Sequence, residues 1–258
     1  MSHTRRAPSL LPREHGAYAE IGFPLLGALI AGTPSVGSIC LTLATLAAFL
    51  AHEPLLVLLG RRGPRALEAL QTRARRRLLI LALFTVLSGV AGLVMAPASV
   101  WVVVVVLATL TLPLSRLIVH KREKTLFGES LVVVMFSGAG AMVALAGGVP
   151  WLDALITAWI WSATFTLSTA AVHAILARTK RRGRKWLPTV VLCIALALGL
   201  LSPIGFVFDA PWTMALLPGA LTTAGLVISG VTARHLKRVG IVVVISSVAT
   251  LVCLVLLV

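Results

Sequence analysis

Long runs of apolar residues, each about the length of a bilayer crossing, alternate along this chain with short breaks rich in Gly and Pro or in Arg and Lys. A hydrocarbon core about 30 Å thick requires roughly 20 residues of helix at about 1.5 Å rise each. Nine runs of that size fall approximately at 17–34, 38–59, 77–96, 98–118, 128–148, 151–177, 186–205, 211–231 and 239–258. The pattern predicts an all-α polytopic membrane bundle, a single domain over residues 1–258 with nothing left over for an extramembrane one. Several breaks are turn chemistry, as at Gly32-Thr33-Pro34-Ser35, Ala96-Pro97, Gly147-Gly148-Val149-Pro150, Ser202-Pro203 and Ala210-Pro211. No internal repeat of fixed period is visible.

Composition removes the alternatives. With 59% hydrophobic and only 12% charged residues, the chain lacks the polar surface of a soluble enzyme. Lys and Arg number 23 against 8 Asp and Glu, for a net charge of +15. On a soluble chain this imbalance would suggest nucleic acid. Here every cation lies before span one or around the junctions of spans two and three, four and five, six and seven, or eight and nine, and the alternate connections have none. By the positive-inside rule the N-terminus is expected in the cytoplasm and the C-terminus outside, in a multi-pass protein of the cytoplasmic membrane with no nucleic-acid partner. The basic face is expected to meet an anionic inner leaflet. Span one is longer than a signal core and contains Glu20, so it reads as a retained helix. Cys40, Cys193 and Cys253 lie inside apolar runs and read as small buried hydrophobes.

Ionisable side chains at membrane depth cost roughly 2.5–3.5 kcal/mol each on insertion scales, so their placement carries chemistry. His15, His52, His120, His173 and His235 all lie near the basic ends of their spans, with Glu14, Glu20, Glu53 and Glu129 in the same layer. In span six, Ser162, Thr166, Thr169 and His173 share one helical face. Pro24 and Pro54 each free a backbone carbonyl, that of Glu20 and that of Leu50, next to an acidic side chain. His120 and His235 read as interfacial, Asp153 and Asp209 as members of the opposite interface, and Glu68 and Glu123 as solvated loop charges. The adjacent pair His52 and Glu53, over a turn deep, is the sharpest site signal.

The opening Pro12-Arg13-Glu14-His15-Gly16-Ala17-Tyr18-Ala19, followed by Phe23-Pro24-Leu25-Leu26-Gly27, resembles the PxEHGAW start of the YwiC-like family of bacterial membrane proteins. Glu53-Pro54 and Thr125-Leu126-Phe127-Gly128-Glu129 are similar to it as well. That family brings no established activity. A broader likeness is to UbiA-type intramembrane prenyltransferases. It rests on nine spans with the N-terminus inside, the basic run Lys121 to Lys124, and the glycine-rich Ser137-Gly138-Ala139-Gly140. Such a resemblance implies a site at the inner ends of spans two and six. The Mg²⁺-diphosphate motifs of those enzymes are absent: the positions after His52 and Glu53 fall on Leu56, Val57, Gly60 and Arg61, and span six ends in Arg178-Thr179-Lys180-Arg181-Arg182.

Three readings remain open on the sequence. In the first, a UbiA-like intramembrane enzyme or binding protein takes a lipid or isoprenoid from the bilayer. His52, Glu53, Glu129 and His173 then supply acid–base chemistry, and Glu14, His15, Glu20, Arg61, Lys124 and Arg178 bind the substrate. A variant of it places a divalent metal, of unknown identity, on His15, His52, Glu53 and His173. In the second, the same groups form a proton- or metal-coupled transport path. The third is a non-catalytic assembly protein with a cationic underside.

Overall fold

The computed structural model describes residues 10–12, 15–179 and 185–257, with the side chains of His15, Thr179 and Phe206 excepted. Glu14 and the cations Lys180, Arg181, Arg182 and Arg184 lie outside the described residues. Helices run in the order α1 (His15–Ala31), α2 (Val36–Leu58), α3 (Pro64–Met95), α4 (Ser99–Val119), α5 (Leu126–Ala146), α6 (Trp151–Thr179), α7 (Leu187–Leu201), α8 (Leu217–Ile228) and α9 (Leu236–Leu257). Short 3₁₀ turns, Ser202–Phe208 and Pro211–Leu216, join α7 to α8, and Ala233–His235 leads into α9. Among the described residues eight helical segments are long and apolar enough to cross a membrane, and α1 is a shorter apolar helix beside them. Among the described residues the expected all-α membrane bundle of nine helices is the observed one.

Two boundaries differ from the hydropathy reading. The arginine-rich stretch before residue 77 is helix: α3 starts at Pro64 and is 32 residues long. Pro at the first helical position is preorganised for it, and Ala, Leu, Glu, Gln and Arg are all good helix formers. Charge thus ended the apolar run without ending the helix. Span eight, by contrast, begins as 3₁₀ and becomes α-helix only at Leu217, where Pro211 and Pro218 interrupt the regular ladder.

The reversals at the basic end are built alike. After α2, the Arg61 N–H donates to Leu56 O and the Gly60 N–H to Val57 O, with Gly60 at φ 69°, a Schellman cap that satisfies otherwise orphaned carbonyls. After α4, Arg122 and Lys121 donate to Leu117 O and Ile118 O in the same pattern, but Lys121 takes the left-handed position at φ 56°. A Cβ there is unfavourable. Lys121→Gly is therefore expected to raise the unfolding free energy by roughly 1 kcal/mol, read as a higher thermal midpoint in detergent.

Packing leaves a gap in the bundle. The α2–α3 hairpin is tight, and α5 packs on α1, α4 and α6, whereas α4 makes little contact with α2 or α3. Pro24 of α1 seats on Gly140 of α5, where a Cβ would lie 2.9 Å from the proline ring and 3.0 Å from its carbonyl oxygen. At the end of the bundle opposite the arginines, Ser35 Oγ donates to Ala146 O at 2.8 Å and Thr33 Oγ1 to Gly147 O at 3.0 Å. Between these closures Ile21, Leu25, Ala28, Leu41, Val103 and Val143 form a dense apolar core.

Candidate functional site

A cavity of about 670 Å³ occupies the gap, lined by α1, α2, α4, α5, α6 and the α4–α5 connection. Its wall has two characters. Toward the basic end it carries Glu20, His52, Glu53, Arg61, Arg62, Glu123, Lys124 and Glu129. Further in it is apolar, with Phe49, Leu107, Met135, Phe136, Ala139 and Met142. Phe49 stands edge-on to Tyr18 at 5.2 Å and to Phe136 at 5.7 Å, a favourable aromatic geometry that ties α1, α2 and α5 around the chamber.

Helix periodicity explains the acidic half. His52 and Glu53 sit next to Pro54 in the last turns of α2, and the Schellman cap at Gly60 turns the chain back so that Arg62 reaches Glu53. The Arg62 Nε donates to Glu53 Oε1 at 2.8 Å while Nη2 donates to Oε2. Glu53 is only 2% exposed. A buried carboxylate is retained where a guanidinium grips it with both nitrogens.

Glu129 lies in the first turn of α5, where the helix dipole favours a carboxylate. Its Oε2 is 2.8 Å from His173 Nε2 of α6. The imidazole stands behind Glu129, outside the lining itself, while Thr169 and Val172 from the preceding turn of α6 reach the cavity wall. The pair joins two helices, and a carboxylate in contact with an imidazole can relay a proton.

The remaining sequence candidates divide. Glu20 and Lys124 line the cavity and, like His52, take part in further interactions. Arg61 lines it too, but its Nη2 donates to Val119 O at 2.8 Å, at the C-terminal end of α4. Arg178 points away, donating through Nη1 to Val227 O of α8 at 2.6 Å. Both guanidiniums satisfy helix-end carbonyls, where the dipole also favours a cation. His15 opens α1, and Glu14 precedes it outside the described residues.

Among the described residues no three His, Cys, Asp or Glu side chains converge as a metal site would require. Glu53 is held by Arg62 and His173 by Glu129, on different helices. Of the four donors of the metal variant, Glu53 and His173 are thus engaged with other side chains, and the His15 side chain lies outside the described residues.

Two charged lining residues were not legible as site residues. Arg62 was one cation in a basic run, and its only signal was its nine-residue distance from Glu53. Glu123, expected in solvent, instead lines the chamber with Oε2 buried and without a hydrogen-bond partner among the described residues. Gly128 makes this placement, since the carbonyls of Glu123 and Arg122 press against the position its Cβ would occupy.

A family model described as YwiC-like protein matches residues 11–145, more than half of the chain. The chain belongs to the YwiC-like family. No curated protein and no solved structure matches it. The YwiC-like match covers helices α1 to α5 nearly to their end, so it includes every cavity-lining residue except Thr169 and Val172. His173, the partner of Glu129, likewise comes from outside the matched region. In this YwiC-like membrane protein the cavity wall thus comes almost wholly from the matched segment, with one face of α6 completing it.

Proposed function

We propose that this YwiC-like protein holds a single-headed amphiphile, a lipid or isoprenoid, in a chamber open toward the cytoplasm, with a UbiA-like arrangement of substrate and bundle. The observation that carries the reading is one cavity whose wall is charged at one end and apolar at the other. A pocket of several hundred Å³ with an apolar wall and few polar groups suits a small-molecule ligand. The loose junction between α4 and α2 supports entry from the side, out of the bilayer. Apolar closure at the far end favours a pocket over a path across the membrane. The positive-inside pattern supports an orientation with the basic end in the cytoplasm.

Within this reading Glu129 is the group suited to accept a proton from the head of the ligand, and His173 is its proton partner. Glu53, gripped by Arg62, orients the rim. Arg61 and Lys124 flank the mouth.

Filling the apolar half tests the proposal. Ala139 is buried at 6% exposure in the chamber wall, so Ala139→Phe is expected to occupy the space of the tail. Binding of tritiated farnesol to protein in nanodiscs is expected to be saturable at one per chain and at least tenfold weaker in this variant. Glu68→Gln, an exposed change on α3, is expected to leave it unaltered. Equal farnesol binding by native protein and Ala139→Phe would remove the chamber as the site.

A further inference from the structure

A second concavity, of about 400 Å³, lies on the outside of the bundle against α3, lined by Leu10, Arg73, Arg76, Arg77, Ile80 and Leu81. The five α3 residues recur at steps of 3, 1, 3 and 1, which is one face of a helix. Three cations and two aliphatic side chains therefore stand in line, cationic toward the N-terminus of α3 and apolar one turn further along.

Their depth is fixed by the sequence. From Leu78 to Met95 the helix carries no charge, a length of about 27 Å at about 1.5 Å per residue, close to the thickness of the hydrocarbon core. Arg77 is the last charged residue before that stretch. The three arginines consequently sit at headgroup level, and Ile80 and Leu81 sit where acyl chains begin.

These cations are also unengaged. Arg62, Arg61 and Arg178 each hold a carboxylate or a carbonyl. No hydrogen bond or ion pair to a described residue is made by Arg73, Arg76 or Arg77. Buried Leu70 and Ala74 anchor this part of α3 on Val57 and Leu10, so the arginine face is presented by a rigid element. Glu68 lies nine residues before Arg77, about half a turn round the helix from it.

We infer that this face is a binding site for an anionic phosphate head, that of an acidic phospholipid whose chains lie along Ile80 and Leu81. Guanidinium groups match phosphate oxygens with paired donors. The apolar half of the pocket distinguishes a lipid from free phosphate, and the site is separate from the interior chamber.

The test uses full-length protein in nanodiscs of phosphatidylcholine with a small fraction of labelled phosphatidylglycerol, reading label retained close to the protein. Each arginine near an anionic surface contributes roughly a fivefold gain. The triple variant Arg73→Gln, Arg76→Gln, Arg77→Gln is therefore expected to weaken phosphatidylglycerol retention on the order of a hundredfold, and Arg76→Gln alone about fivefold. Changing Arg234, Lys237 and Arg238 to Gln removes the same charge at the start of α9, outside the pocket, and is expected to cost well under the loss seen in the first triple. Equal loss in both triples would reduce the result to general attraction and overturn the site. Displacement by millimolar inorganic phosphate, with Ile80→Ser without effect, would overturn the lipid assignment in favour of a free anion. An unchanged thermal midpoint separates lost binding from lost fold, and if the triple unfolds, Arg76→Gln with retained label at native level overturns the proposal by itself.

Discussion

Arg62→Ala is expected to destabilise the protein by about 3 kcal/mol, the lower end of what removing one partner from a buried ion pair costs. Glu53 is 2% exposed and would lose the guanidinium that grips both of its oxygens. The lower end applies because Arg62 itself is 31% exposed, so water screens part of the pair. Thermal unfolding in detergent measures the loss directly. The double change Glu53→Gln with Arg62→Met is expected to recover most of it, since a neutral amide needs no counterion and an aliphatic chain keeps the packing. Loss of less than about 1 kcal/mol in Arg62→Ala would mean that the carboxyl finds a proton or water instead. The pair also sets the geometry of the chamber mouth, so farnesol binding is expected to fall together with stability in the single variant and to return in part in the double one.

Gly128→Ala is the second large effect, and a comparison within α5 isolates its cause. A Cβ at Gly128 would lie 2.5 Å from Glu123 O and 2.9 Å from Arg122 O, both backbone atoms. A Cβ at Gly138 would meet Leu107 Cδ2 at 2.9 Å, the tip of a side chain that can rotate. Alanine favours a helix over glycine by about 1 kcal/mol at either site. Gly138→Ala is therefore expected to be near neutral, whereas Gly128→Ala must move the α4–α5 connection and is expected to cost roughly 1–3 kcal/mol. The displaced connection carries Glu123 and Lys124 on the chamber rim, and Thr125 accepts from the Gly128 N–H at 3.2 Å as the cap of α5. Farnesol binding is expected to drop at least tenfold in Gly128→Ala and to persist in Gly138→Ala. Identical melting and binding of the two variants would show that the connection is free to shift.

The chain determines its helices by itself. Runs of apolar residues at bilayer length leave no other way to satisfy the backbone in oil, which is why the nine hydrophobic segments are helical wherever the residues are described. Local rules reach further than hydropathy at one place: the stretch from Pro64 to Arg77 has a proline start and good helix formers, and the charge that marks it as a connection does not oppose the helix. Candidate chemistry was legible as a layer, because ionisable groups are too costly at depth to be scattered without reason.

Pairing was not legible, because it depends on distances across helices. Glu53 meets Arg62 through a turn, Glu129 meets His173 across 44 residues, and Arg178 meets Val227 O across 49. The same residue type thus has different partners: Arg61 closes a helix end, Arg62 neutralises a carboxylate, and Arg76 stands unengaged on an apolar ledge. Glu123 shows the limit most clearly, since a charge between two lysines and an arginine reads as solvated until Gly128 lets the chain fold under α5. Local free energy per residue set which segments are helical and how deep they lie. The identity of the neighbours, and with it the chamber, came from packing of separate helices, whose geometry no spacing along one chain encodes.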